Sequence, residues 1–294
     1  MRIQEKIDLR RRTTLRLGGT TRAELLLDDE RDFDRLEQVL AGLSGNPVAW
    51  GGGSNILARD GEHDLVLIVQ DGTRLPRVVE EKGDGVIVRV GAGVRLARLL
   101  GWCRRMGLSG LEPLAGIPGT VGGAVTMNAG SFGIETADVL HRVRAWTRAR
   151  GLFWTGPEGW RSGYRHFELL ESSSIALIAE AEFILTRGVA EQIRENVKQT
   201  FLRKKGSQPV TSWTCGCVFK NPGGQQPAAG WLLDKSGFKG KVSGGVGFSE
   251  QHANFLVNCG GGTATAALDL IAEAREEVHS RFGVELKLEV KIYP

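Results

Sequence analysis

Apolar residues recur along the chain at two different spacings, and the changes between them mark its elements. Between Glu30 and Leu43, Phe33, Leu36, Val39 and Leu40 fall on one helical face. Leu96, Leu99, Leu100, Cys103 and Met106 do the same, which predicts a helix ended by Gly107 and makes Cys103 a small core residue rather than a reactive thiol. A third helix carries Leu268, Ile271, Val278 and Phe282; Thr263 or Thr265 can cap its start, and Gly283 closes it. Ala190 to Lys205 reads as a charged helix and a domain boundary. Shorter apolar runs predict strands: one following the Gly18–Gly19 turn towards Leu27, one from Pro47, then Leu65 to Val69, Val86 to Val90, Val139 to Trp146, Ile175 to Leu185 and Asn254 to Asn258. Glu285 to Ile292 alternates as a last strand, with Leu286, Leu288, Val290 and Ile292 on one face and Glu289 and Lys291 on the other. Helices and strands are interspersed throughout, so the fold class is α+β.

Composition narrows the function without naming it. The 294 residues are 41% hydrophobic and 24% charged, the balance of an ordinary globular protein large enough for two or three domains. A net charge of +4 mildly favours anionic ligands. Basic residues are scattered, with short runs only at Arg10–Arg12 and Arg203–Lys205, so no nucleic-acid footprint is predicted. No apolar run approaches the roughly 18 residues of a membrane span, and MRIQEKIDLRRRTT lacks the apolar segment of a secretory signal. Four cysteines (103, 215, 217 and 259) make no disulfide framework at this length, which makes the cytoplasm the expected compartment.

The chemistry concentrates in glycine. Leu108 to Gly133 reads LSGLEPLAGIPGTVGGAVTMNAGSFG, with glycines at 110, 116, 119, 122, 123, 130 and 133 among Leu, Ile, Val, Met and Phe. That mixture is not a linker. Either it forms tight turns inside a core, or its backbone N–H groups make an anion-binding cradle for a large phosphate-bearing cofactor. About 60 residues earlier, GGGSN (51–55) follows a strand. It is neither a Walker A loop nor a G-x-G-x-x-G fingerprint, but two such loops can embrace the ends of one extended ligand.

GGGSNIL, the long glycine-rich stretch, SGYRHF, CGCVFKNP, AGWLLDKSGFKG, EQHANFLVN and LEVKI occur in that order. Together they resemble the UDP-N-acetylenolpyruvoylglucosamine reductase family, in its shorter form, over nearly the whole chain from Thr13 to Ile292. The resemblance implies a two-lobed FAD-binding region of the vanillyl-alcohol-oxidase type (1–70 and 71–195), followed by a smaller α+β substrate-binding domain (196–294). It implies FAD as cofactor, NADPH as co-substrate, a UDP-sugar enolpyruvyl ether as substrate, and a role in peptidoglycan precursor synthesis, in a protein expected to be a monomer. Flavin contacts are carried over to Gly51, Gly52, Gly53, Ser54 and Asn55, to Ala115, Gly116, Ile117, Pro118, Gly119, Thr120, Gly122 and Gly123, and to Asn128.

Reducing an enolpyruvyl ether requires hydride at C3, stabilisation of charge on the carboxylate side, and a proton at C2. Arg165 matches the family's carboxylate-binding arginine, whose guanidinium suits bidentate pairing. Glu289 matches its active-site glutamate, and needs a proton or hydrogen bonds to sit beside a carboxylate. Without the resemblance, the first is a surface arginine and the second the polar side of a strand. At the position of the acid that protonates C2 the family commonly has serine; here it is Cys217, a thiol with an ordinary pKa of roughly 8.5 and thus a competent donor that is open to oxidation. Cys215 reads as packing, and a Cys215–Cys217 bridge would close too small a ring. His252 and Cys259 complete no metal site, and none is expected. Lys220 suits the UDP diphosphate, Asn221 a chain turn, and Gln208 belongs to the segment leading to the substrate. His252 and Asn254 read as structural. The rival readings are a non-catalytic flavoprotein on the same scaffold, which the Cys217 replacement alone favours, and an oxidase with covalently tethered flavin, for which His63 lies outside the attachment pattern.

Overall fold

A computed structural model of the chain describes residues 1–70, 72–170 and 175–293. Contacts divide it into two compact units that do not follow chain order. The first comprises Met1–Glu5, Arg22–Gly52 and Asp64–Arg203; the second comprises Lys6–Thr21, Gly53–His63 and Lys204–Pro294. The α+β class expected from the pattern is observed. No helix among the described residues is long and apolar enough to cross a membrane.

In the first unit, an antiparallel sheet runs in the order Gly151–Thr155, Leu140–Thr147, Ala176–Arg187, Gly85–Gly91, Arg77–Lys82. Leu108–Ser109 adds to the far end of Ala176–Arg187. A second sheet orders Arg2–Asp8, Thr20–Leu27, Glu62–Gln70 and Asn46–Ala49, its last pair parallel. Helix α1 (Glu30–Gly42) starts at a capping box on Asp29 and buries Phe33, Leu36 and Leu40 against Trp146 and Leu177. Helix α2 (Leu96–Met106) buries Leu96, Leu99, Leu100 and Cys103, while Met106, in its last turn, is exposed. Each such buried leucine stabilises by roughly 1.5–3 kcal/mol, and burial pushes the Cys103 thiol up to about 12, so it is inert packing. Helices α3 (Val121–Thr126) and α4 (Ala190–Ser207) follow. The strands Arg2–Asp8 and Arg77–Lys82 are not marked by the apolar pattern, because both are rich in charged residues and only tertiary pairing makes them strands.

The large sheet contains a cross-strand charge row. Glu182, 1% exposed, is bonded by Arg89 at 2.6 Å from one neighbouring strand and by Arg142 at 2.5 Å from the other. Both guanidinium groups lie 4.7 Å from the Trp154 ring. Burial opposes ionisation of Glu182, but the two arginines outweigh it and hold its pKa below the usual carboxylate value. The stabilisation is therefore complete above the unfolded pKa of roughly 4.3 and is lost as pH falls through the lower folded value. Glu182→Gln should cost about 2 kcal/mol at pH 7, since two guanidinium groups lose a charged acceptor while still reaching solvent. Urea melts of both proteins check this: the gap should narrow below about pH 4, and a gap independent of pH would contradict the pairing.

The second unit centres on an antiparallel sheet ordered Thr214–Cys217, Phe255–Asn258, Val246–Phe248, Val242–Ser243. Helix α5 (Ala229–Lys235) and helix α6 (Ala264–Phe282) supply most of its remaining core, with Leu232, Leu233, Leu270, Ile271 and Val278 buried beside Phe219, Phe238 and Phe248. Thr263, not Thr265, is the N-cap of α6, its hydroxyl accepting from Ala266 N at 3.1 Å. Thr265 instead joins Asp60, whose carboxylate accepts from the N–H groups of Ala264 and Thr265.

The predicted last strand is corrected. Only Lys291–Tyr293 is a strand, paired in parallel with Ile56–Ala58. Burial does alternate, with Leu286 and Val290 inside, but the hydrogen-bonding partner changes midway. Lys287 O accepts from Lys220 N, both Glu289 N and Val290 N point at Val218 O, and Lys291 N then turns to Asn55 O. A chain that changes partner within four residues keeps the alternation but loses the ladder.

Candidate active site

In the first unit the two glycine loops lie against each other. A Cβ on Gly52 would sit 2.8 Å from Gly119 Cα, and one on Gly51 would sit 2.9 Å from Thr120 Oγ1. Thr120 is the N-cap of α3, accepting from Gly123 N at 3.4 Å. Gly122 is structural: its N–H bonds Ala92 O at 2.9 Å, and a Cβ there would meet Ala92. Ala115 N and Ile117 N are used within their own turn, bonding Glu112 O and Leu114 O. By contrast, the N–H groups of Gly51, Gly52 and Gly119 find no acceptor among the described residues.

The same unit carries Arg165. Trp160–Gly163 and His166–Leu169 form a hairpin whose two-residue loop is Tyr164–Arg165. This is the polar GYRHF segment, which the apolar pattern leaves without an element. Arg165 is half-buried at φ +55°, its Nη2 donates to Gly130 O at 3.1 Å, and its guanidinium lies 4.9 Å from the Tyr164 ring. Asn128, 1% exposed, donates to Gly163 O at 3.0 Å.

The second unit gathers the other candidates. Between Thr214 and Cys217 the strand gains one residue over its neighbour: Thr214 pairs with Val257, Cys217 with Phe255. Gly216 supplies the required left-handed turn at φ +78°. On a regular strand Cys215 and Cys217 would share a face. The bulge separates them: Cys215 is 1% exposed, with burial pushing its thiol up to about 12, whereas Cys217 is half-buried. Neither cysteine is joined in a disulfide.

Glu289 is tied to the residue after Cys217, its N–H donating to Val218 O at 2.8 Å. The Asn55 side chain donates to Glu289 O at 3.0 Å. Thr14 ties the same loop to the cysteine strand, its N–H bonding Gly53 O at 3.1 Å and its hydroxyl bonding Thr214 O at 2.6 Å. The sequence does not single out Thr14, because its partner is 200 residues away. Asn254 clamps the residue after Val218: its amide accepts from Phe219 N at 3.0 Å and donates to Phe219 O at 2.8 Å. Lys220 is half-buried at the next position. Asn221 Oδ1 accepts from Ala229 N at 3.0 Å and so secures the start of α5. Gln208 is half-buried at the end of α4. His252 accepts from Asn254 N, lies edge-on to Phe255, and has its pKa lowered by burial, as suits a neutral packing histidine.

These features fit a flavin diphosphate. The unspent N–H groups of Gly51, Gly52 and Gly119 lie on two adjacent glycine loops, an arrangement suited to an anion, and a side chain at Gly52 would collide with Gly119. Among the described residues no group of His, Cys, Asp and Glu could hold a metal ion.

Residues 38–156 match a family described as an FAD binding domain, and residues 208–293 match the C-terminal domain of UDP-N-acetylenolpyruvoylglucosamine reductase. The reductase of that name from Nitratidesulfovibrio vulgaris is 45% identical over 292 residues, 99% of this chain and 98% of the relative. Its counterpart from Oleidesulfovibrio alaskensis is 48% identical, covering 97% and 96%. The crystal structure of the Thermus caldophilus UDP-N-acetylenolpyruvylglucosamine reductase superposes over 100% of both chains with a TM-score of 0.82 at 32% identity. Sequence, fold and the paired glycine loops converge: this chain belongs to the UDP-N-acetylenolpyruvoylglucosamine reductase family and is a flavin-family oxidoreductase.

Proposed function

We propose that the protein reduces UDP-N-acetylglucosamine enolpyruvate to UDP-N-acetylmuramate, with NADPH as donor, in peptidoglycan precursor synthesis. The observation that carries this reading is the bulge that turns Cys217 away from the buried Cys215, with Glu289 hydrogen-bonded to the adjacent Val218. A protein that only bound FAD and a nucleotide sugar would have no need of that arrangement. FAD, which the glycine loops at Gly51–Asn55 and Ala115–Gly123 would hold, would supply the hydride chemistry that links NADPH to C3 of the enolpyruvyl group. Arg165 pairs with the substrate carboxylate and stabilises the charge that develops there. Glu289 polarises the same group, and the Asn55 amide fixes its backbone. The Cys217 thiol gives its proton to C2, and the thiolate regains one from solvent.

In this reading Gly51–Asn55 and Ala115–Gly123 hold the FAD diphosphate, while Lys220 serves the UDP diphosphate of the substrate. Segments 1–70 and 71–195 supply chiefly the flavin contacts and 196–294 chiefly the substrate contacts, in a cytoplasmic monomer. The test is anaerobic: the yellow protein is bleached with NADPH, the enolpyruvyl substrate is added, and flavin absorbance is followed. Return of the oxidised spectrum with one product per flavin is the expected result. A flavin that stays reduced would point to another acceptor.

A further inference from the structure

The chain from Asn128 to Glu135 is bound more tightly than a surface loop requires. Asn128 is 1% exposed and every polar atom of its side chain is used: Nδ2 donates to Gly163 O at 3.0 Å and to Glu135 Oε2 at 2.6 Å, and Oδ1 accepts from Ala137 N at 2.9 Å. Two residues on, Gly130 O accepts from Arg165 Nη2 at 3.1 Å. The loop therefore grips the hairpin that carries Arg165 twice, once at the backbone of Gly163 and once at the Arg165 guanidinium. Three of the five non-glycine residues at positive φ among the described residues lie here: Asn128 (+40°), Phe132 (+54°) and Arg165 (+55°). Asparagine tolerates that conformation, but arginine and phenylalanine adopt it only where surroundings impose it. The Arg203 guanidinium, 4.2 Å from the Phe132 ring, covers the loop from α4.

An arginine side chain is otherwise costly to order, and fixing it beforehand leaves more of its interaction for the ligand. We propose that Asn128 is a positioning residue, setting the hairpin tip so that Arg165 is pre-organised for the substrate carboxylate. With its amide saturated inside the protein, Asn128 has no side-chain donor to offer the flavin, and its assignment moves from cofactor contact to substrate orientation. The inference rests on the reading of Arg165 as the carboxylate partner.

A double-mutant cycle tests it. Wild type, Asn128→Ala, Arg165→Ala and the double variant are compared by calorimetric titration with UDP-N-acetylmuramate, whose lactyl carboxylate persists in the product, and by the rate of substrate-dependent flavin reoxidation. Asn128→Ala should weaken product binding and slow reoxidation about tenfold, and should add nothing in the Arg165→Ala background. Multiplicative losses, or a flavin content that falls in step with product binding, would overturn the proposal. Should Asn128→Ala fail to fold, Asn128→Asp combined with Glu135→Gln keeps an acceptor for Ala137 N and a hydrogen bond between the two side chains while removing the donation to Gly163; the same non-additive loss is then expected, and wild-type product affinity would refute it. A wild type whose flavin is not reoxidised by substrate overturns the reading of the site, and the proposal with it.

Discussion

Cys217→Ala should slow substrate-dependent reoxidation of the flavin by about 10²–10⁴-fold, the usual range for a lost general acid, while NADPH still reduces the flavin. The physical reason is local. Alanine removes the proton donor but keeps the bulge, since the left-handed turn belongs to Gly216 and the ladder bonds to the backbone. Stopped-flow absorbance separates the half-reactions; equal loss of both would show that Cys217 shapes the fold and donates no proton. Cys217→Ser should retain substantial activity, because a hydroxyl fits the same space and also donates. The two proteins should differ under alkylation. N-ethylmaleimide should bring the wild type to the level of the alanine variant and spare the serine variant, although Cys259 is exposed in both.

Gly53→Ala should be strongly disruptive in the second unit. Gly53 sits at φ +64°, and a methyl group there would lie 1.8 Å from the carbonyl oxygen of Arg12, a backbone atom with no rotamer to escape into. Strain and overpacking together should cost about 3 kcal/mol, or a melting temperature lower by roughly 6–10 °C. Gly83→Ala is the matched control: φ is +58°, but no atom lies within 4 Å of the added methyl, so only about 1 kcal/mol is expected. Because Gly53 O holds Thr14 N and Asn55 holds the backbone of Glu289, displacing this loop should also lower flavin content and reoxidation rate together. Thermal melts and the flavin-to-protein absorbance ratio check both consequences. Equal destabilisation by the two alanines would mean that the Arg12 contact relaxes at no cost.

The sequence alone determined the elements whose signal is local. The faces of α1, α2 and α6 were legible because helical burial follows a fixed period and ends at Gly107 and Gly283. Family membership was legible because glycine loops and CGCVFKNP are short motifs whose chemistry depends on adjacent residues. What the sequence could not contain was the pairing. Tertiary structure decided that Lys6–Thr21 and Gly53–His63 belong with Lys204–Pro294, since a compact unit is set by what packs in space and not by chain order. It divided Cys215 from Cys217 through a bulge that period-two counting does not register. It broke the alternating Glu285–Ile292 into two pairings, and it set Asn128 beneath the hairpin of Arg165, 35 residues away in the chain. Each of these depends on which distant backbone group accepts a hydrogen bond, and that choice is made only when the whole chain has satisfied its buried polar atoms.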